Sequence, residues 1–107
     1  MGVGAETILA TKAQLCEQID RISAEMSGFT ARQMAFQIDD VRRMARDCGM
    51  FPVEELARSL ERALSGGQSC AVANPFLHSM REALSGDRID AAAAQSYLAA
   101  VNQRLYG

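Results

Sequence analysis

The sequence predicts an all-α protein, folded as an up-and-down antiparallel bundle of about five helices. Apolar residues recur at helical spacing over most of the chain, and no segment shows the sustained alternation rich in β-branched residues that is typical of a strand. Short connections between successive amphipathic helices favour antiparallel neighbours. The 107 residues suffice for one hydrophobic core, so we expect a single domain over residues 1–107.

The first two predicted helices, about residues 6–26 and 29–48, each carry one apolar face. In the first helix the apolar residues follow one another at steps of seven, four and three: Ile8, Leu15, Ile19, Ile22 and Met26. In the second they alternate steps of four and three and form a narrow stripe: Met34, Ile38, Val41, Ala45 and Cys48. Both faces predict helices that are buried on one side.

Glycines predict where the helices end. Gly28, Gly49, Gly66 and Gly86 each follow a segment with helical periodicity, and four such stops indicate five helices. Three of the four follow a serine, which predicts that these glycines end their helices in the left-handed conformation.

The last three helices begin at recognisable signals. Pro52 is expected in the first turn of the third helix, where its missing N–H needs no partner. The fourth helix begins either at Asn74–Pro75 or near Gln68, with a kink at the proline in the second case. Asp90 is the expected N-cap of the fifth. The predicted inward faces are Val53, Leu56, Leu60, Ala63 and Leu64, then Phe76, Leu77, Met80 and Leu84, then Ala94, Leu98, Val101 and Leu105 with Tyr97 beside them.

Composition excludes several function classes. A formal net charge of -2 with scattered arginines argues against nucleic acid as a partner, because nucleic-acid binding needs a concentrated basic face. No apolar run is long enough to cross a bilayer and the N-terminus has no signal-peptide pattern, so we expect no membrane partner and a cytoplasmic protein. Three cysteines without metal-type spacing predict buried or half-buried thiols, and we expect no metal site and no cofactor.

Residues 38–67 combine small and apolar residues in a spaced pattern over two helices. The pattern consists of Ala45, Gly49, Leu56, Leu60, Glu61 and Gly67. In these positions the segment resembles the histidine phosphotransfer (HPt) domains of bacterial phosphorelays, which are small helical bundles. In that family one helix carries a motif close to H-x-L-K-G-x-A, a glycine follows ten residues after the histidine, and the next helix contains spaced leucines followed by a glutamate. The resemblance implies an HPt-like four-helix core within the bundle and a role in bacterial two-component signalling.

The chain departs from the HPt motif at its chemical centre. Asp39 stands ten residues before Gly49, where the family has the phosphorylatable histidine, and a carboxylate cannot carry the family's phosphoramidate. Arg42 keeps the basic residue three positions later, but Arg43 replaces the glycine that lets a receiver domain approach closely. The resemblance therefore implies an HPt-like bundle without the phosphocarrier role.

One face of the second helix is the predicted partner-binding surface. At 100° per residue, Phe36 lies nearly opposite the Ile38 stripe and should stand exposed among charged side chains. Alternatives for Phe36 are an isolated exposed residue, packing under the fourth or fifth helix, or burial in a dimer. Arginines and aspartates at 39–47 are expected to form a solvated mixed face. The favoured hypothesis is a non-enzymatic module that binds a receiver or histidine-kinase domain through Phe36, Asp39, Asp40, Arg42 and Arg43.

Two other hypotheses remain open. The only histidine, His78, is an alternative phosphoacceptor, since its helical position near the edge of the apolar face gives it access to solvent. The second alternative is a structural, self-associating bundle that forms a homodimer through the Phe36 region or through Ala91–Ala94.

No enzyme active site is expected. The segment 15–23, LCEQIDRIS, resembles the first helix of the helical chorismate mutases, with Leu15, Ile19, Asp20 and Ile22 in matching positions. However, Cys16 replaces the arginine that would bind a substrate carboxylate. A dianionic substrate needs several converging cations in a desolvated pocket, and the chain offers no such set in its sequence.

Overall fold

A computed structural model of the protein describes residues 5–86 and 90–107, and within them it contains helices and no strands. The five α-helices are α1 (Ala5–Glu25), α2 (Ala31–Asp47), α3 (Phe51–Ser65), α4 (Ala73–Ser85) and α5 (Ala91–Tyr106). One-turn 3₁₀ helices lie at Met26–Gly28 and Cys70–Val72. The all-α prediction is confirmed, and none of the described helices is both long and apolar enough to cross a bilayer.

The first four helices form a closed ring. Each packs against the next along the chain, and α1 packs against α4 to complete the ring. The fifth helix lies outside this ring, across α3 and α4. As a result α3 packs against three other helices, and its contact with α2 is the most extensive in the molecule.

The core lies inside the ring and consists mainly of the predicted apolar faces. Every predicted inward residue of α4 is buried, as are Met34, Ile38, Val41 and Ala45 of α2. Several predicted core residues are only half-buried, because they lie near helix ends or on the outer helix α5, which packs on one side: Ile8, Met26, Cys48, Ala63, Tyr97, Leu98 and Leu105. The apolar periodicity thus identified the buried faces and overestimated burial at the edges of the core.

The start of α4 lies close to the first predicted alternative, with Pro75 in the first turn, but Asn74 is not its cap. Ser69 accepts a hydrogen bond from the backbone N–H of Ala71 at 3.2 Å and initiates the 3₁₀ turn that leads into the helix. The α-helix then begins at Ala73, which places Pro75 in its first turn. No interior hydrogen bond is lost to the proline there, so the helix needs no kink. The predicted cap of α5 is confirmed, because Asp90 accepts a hydrogen bond from the Ala93 N–H at 2.7 Å.

Only two of the described glycines are left-handed, Gly49 with φ of 76° and Gly67 with φ of 89°. The prediction was therefore wrong for the three glycines that follow serines. Gly66 has φ of −77°, and the next residue, Gly67, adopts the left-handed conformation instead. Gly86 has φ of −91°. The helix ends were correctly located. The backbone conformation at each end depends on which carbonyls of the last helical turn accept hydrogen bonds from the residues that follow.

The turn between α2 and α3 has the bonding pattern of a Schellman motif. The Met50 N–H donates to the Ala45 carbonyl at 2.8 Å, and the Gly49 N–H donates to the Arg46 carbonyl at 3.2 Å. These two bonds satisfy carbonyls that the end of α2 would otherwise leave unpaired. They also bring α3 back along α2 after only three intervening residues, 48–50.

We predict that Gly49→Ala lowers the free energy of unfolding by about 1–2 kcal/mol, because a Cβ at positive φ strains the backbone. No heavy atom outside the neighbouring residues lies within 4 Å of the new Cβ, so the effect isolates the backbone term. Gly28→Ala is the matched control, since its Cβ also meets nothing within 4 Å and its φ is not positive. Urea denaturation of both variants measures the difference, and equal stabilities would contradict the role of Gly49.

Candidate functional site

The outward face of α2 presents an exposed aromatic ring. Phe36 has 69% of its surface exposed and points away from the buried stripe of the same helix. It does not pack beneath α4 or α5, so that alternative for the ring is excluded. We call the set Arg32, Phe36, Asp40 and Arg43 the α2 surface.

Beside the α2 surface, Arg42 joins α2 to α3. Its Nε donates to Glu61 Oε1 at 2.8 Å, and its Nη2 donates to Asp39 Oδ1. The second oxygen of the same aspartate, Oδ2, lies 2.7 Å from Arg43 Nη2. Asp39 therefore binds two arginines within the chain, one at each carboxylate oxygen.

This ion-pair network is half-buried. The Arg42 side chain is 22% exposed, and its hydrogen bonds to Asp39 and then to Glu61 raise its pKa above the ordinary arginine value. The guanidinium is thus charged throughout the physiological pH range. The expected solvated mixed face holds for Arg43, Arg46 and Asp47, which are exposed, but it is wrong for Arg42. Sequence reasoning missed Glu61 as its partner.

Two charged side chains of the α2 surface make no ion pair or side-chain hydrogen bond within the described part of the chain. Arg32 is exposed and lies four residues before Phe36, while Asp40 is half-buried and lies four residues after it. Arg32 was not among the predicted site residues. Its position at a four-residue step from Phe36, on the same helix face, is the signal that points to it.

His78 lies on α4, across the bundle from α2, so the structure does not bring the two predicted sites together. Its side chain is 55% exposed, and its Nε2 is within hydrogen-bond distance of Glu82 Oε1. Both residues line an open surface cavity of about 430 Å³ with Arg81, Ser85 and Tyr97. Arg81 is itself paired, since its Nε lies 3.1 Å from Asp20 Oδ1 on α1.

The cysteines are half-buried thiols, as predicted. Cys16, Cys48 and Cys70 are all unbridged. Burial raises the pKa of the Cys48 thiol, which keeps it protonated and weakly nucleophilic near neutral pH. Across residues 5–86 and 90–107, no three His, Cys, Asp or Glu side chains are grouped so that they would hold a metal ion.

We predict that Arg42→Met lowers the free energy of unfolding by about 1–2 kcal/mol, because Asp39 and Glu61 then lose their half-buried cation. Methionine keeps the apolar stem, so the change tests the charge rather than the packing. Arg46→Met is the matched control: its pair with Asp47 is exposed on both sides, and its loss should change stability by less than about 0.5 kcal/mol. Denaturant titrations measure the free energy of unfolding of both variants. A similar decrease in the two would show that the Arg42 network stabilises the fold no more than an exposed ion pair does.

Comparisons of this chain with protein-family models, with curated proteins and with solved structures found no match. The function is therefore inferred from the residues of the chain itself. Two features bear on it most directly. They are the α2 surface around Phe36 and the Arg42 network that supports it.

Proposed function

We propose that the chain is a non-enzymatic interaction module of bacterial two-component signalling, which works in the cytoplasm and binds a receiver or histidine-kinase domain without carrying phosphate. The observation that carries this proposal is the ring of Phe36, 69% exposed at the centre of the α2 surface. The signalling context comes from the resemblance of residues 38–67 to HPt domains.

The α2 surface has the composition of a protein-binding site. Aromatic and arginine residues dominate the binding energy of interfaces, and charged groups at the rim contribute selectivity. Phe36 supplies the aromatic anchor. Arg43 is 61% exposed, and its pairing with Asp39 orients the guanidinium while leaving other N–H groups for an acceptor on the partner.

Asp39 and Arg42 support this surface from within the molecule. Arg42 bonds Asp39 on its own helix and Glu61 on α3, so the network fixes α2 against α3 at the level of the docking face. A partner that bound Asp39 directly would have to compete with both arginines. We therefore assign contact with the partner to Phe36, Asp40 and Arg43, and positioning of the surface to Asp39 and Arg42.

The absence of a phosphocarrier role follows from the same residues. Asp39 occupies the place of the family's histidine, and α2 contains no histidine at all. Asp39 has no imidazole nitrogen to carry a phosphoryl group, and both of its carboxylate oxygens are already paired with arginines, Arg42 and Arg43. The surface suits binding without phosphoryl transfer.

We predict that at least one purified receiver or histidine-kinase domain of the source organism binds the wild-type chain, and that F36A/R43E weakens this binding at least about tenfold. Isothermal titration calorimetry measures each affinity, and circular dichroism checks that the variant is folded. L9A is the matched control, because Leu9 is also an exposed apolar residue, 65% exposed, but lies on α1. If no domain binds, or if F36A/R43E and wild type bind equally, the α2 surface is not the docking site.

The phosphocarrier alternative depends on His78. Its exposure favours phosphorylation, but a phosphoryl group on Nε2 would lie against the Glu82 carboxylate, which repels it. We expect no acid-labile phosphate on the wild-type chain after incubation with phosphorylated receiver domains. A labelled wild type whose label disappears in His78→Ala would instead establish the carrier role, and Glu82→Gln should then increase labelling.

A further inference from the structure

We infer that the α2 surface pairs with a second copy of this chain, as an antiparallel helix pair with a twofold axis at Phe36. The observation behind this inference is the arrangement of charges around the ring. Arg32 and Asp40 lie four residues before and four residues after Phe36, carry opposite charges, and have no ionic partner within the described residues. The proposed signalling function is not needed for this pairing.

The helix geometry makes this arrangement self-complementary. Four residues span about 6 Å along a helix axis and turn the side chain by about 40° from the starting direction. Arg32 and Asp40 therefore flank the ring at equal distances on either side. In an antiparallel pair centred on Phe36, with the helix axes crossed by about 50° so that the rows of residues four apart lie along each other, Arg32 faces Asp40 of the second copy, Asp40 faces its Arg32, and the two rings meet at the axis.

Other arrangements of the same surface lack this match. A parallel pair would place Arg32 against Arg32 and Asp40 against Asp40, and like charges in contact are unfavourable. The remaining charges of the face do not disturb the antiparallel pair, because Arg43 is paired with Asp39 and Arg46 with Asp47. A closed twofold contact is also the commonest symmetry of soluble oligomers, since each copy uses the same patch.

Self-pairing would bury the aromatic ring that is otherwise exposed to water. Two phenyl rings in contact gain burial of apolar surface and a favourable ring–ring geometry. Two flanking ion pairs then set the direction and register of the helices, which is the usual role of charges at an interface. Since the same surface would bind the signalling partner, dimer and partner complex exclude one another; only this consequence rests on the proposed function.

Charge reversal tests the pairing directly. R32D gives a chain with acids on both sides of Phe36, and D40R gives a chain with bases on both sides. We expect each variant alone to dimerise at least about tenfold more weakly than wild type in sedimentation equilibrium, because both ion pairs become repulsive. An equimolar mixture of the two variants should recover dimer, since every acid then faces a base.

The mixture also controls for folding, because a misfolded variant would not recover dimer on mixing. F36A is expected to weaken the wild-type dimer by at least about tenfold, while L9A leaves it unchanged. The proposal is overturned if the wild-type chain stays monomeric at millimolar concentration, if neither charge reversal changes its dimerisation, or if the mixed variants remain monomeric. All these measurements use this chain alone, so their results are independent of whether a signalling domain binds it.

Discussion

Burial of the apolar face of α3 determines how the rest of the molecule is arranged. This helix packs against α2, α4 and α5, and it buries five apolar side chains besides Pro52: Val53, Leu56, Ala57, Leu60 and Leu64. Because α2 lays its own apolar stripe against α3 and α1, its opposite side has to face outward. The exposure of Phe36 is thus a consequence of core packing, and the Schellman turn at Gly49 brings the two helices together with a short connection.

The α2 helix performs three structural tasks with residues that are close in sequence. Ile38 and Val41 fill the core, Arg42 bonds α3 at the edge of the core, and Phe36 with Arg43 stands in solvent. Because Arg42 lies at the edge of the core, its ionic hydrogen bonds are partly shielded from water, and we expect it to stabilise the fold more than the exposed arginines do. If the α2 surface binds a partner as proposed, this support would lower the entropic cost of binding.

The most exposed ring of the molecule and its histidine lie on different helices. Its most exposed ring lies among charges that balance one another, and its histidine faces a carboxylate in an open cavity. One aromatic anchor among charges of both signs would suit a reversible interface. Competition between a second copy and a signalling domain for such a surface would make partner binding depend on the concentration of the chain.

The sequence alone determined the five helices, their buried faces and the outward direction of Phe36 on its helix, because these features depend on spacing within one segment. Only the tertiary structure excluded packing of the Phe36 ring under α4 or α5. Glycines marked the helix ends in the sequence. Whether Gly66 or Gly67 adopts the left-handed conformation depended on which backbone carbonyl accepts a hydrogen bond from each N–H. The start of α4 at Ala73 was likewise set by a 3₁₀ turn that no periodicity predicts. Only the tertiary structure paired Arg42 with Glu61, 19 residues away, and left Arg32 and Asp40 without partners among the described residues. Ion pairs between helices depend on how the packed cores align neighbouring helices, and that alignment is a property of the whole bundle rather than of any one segment.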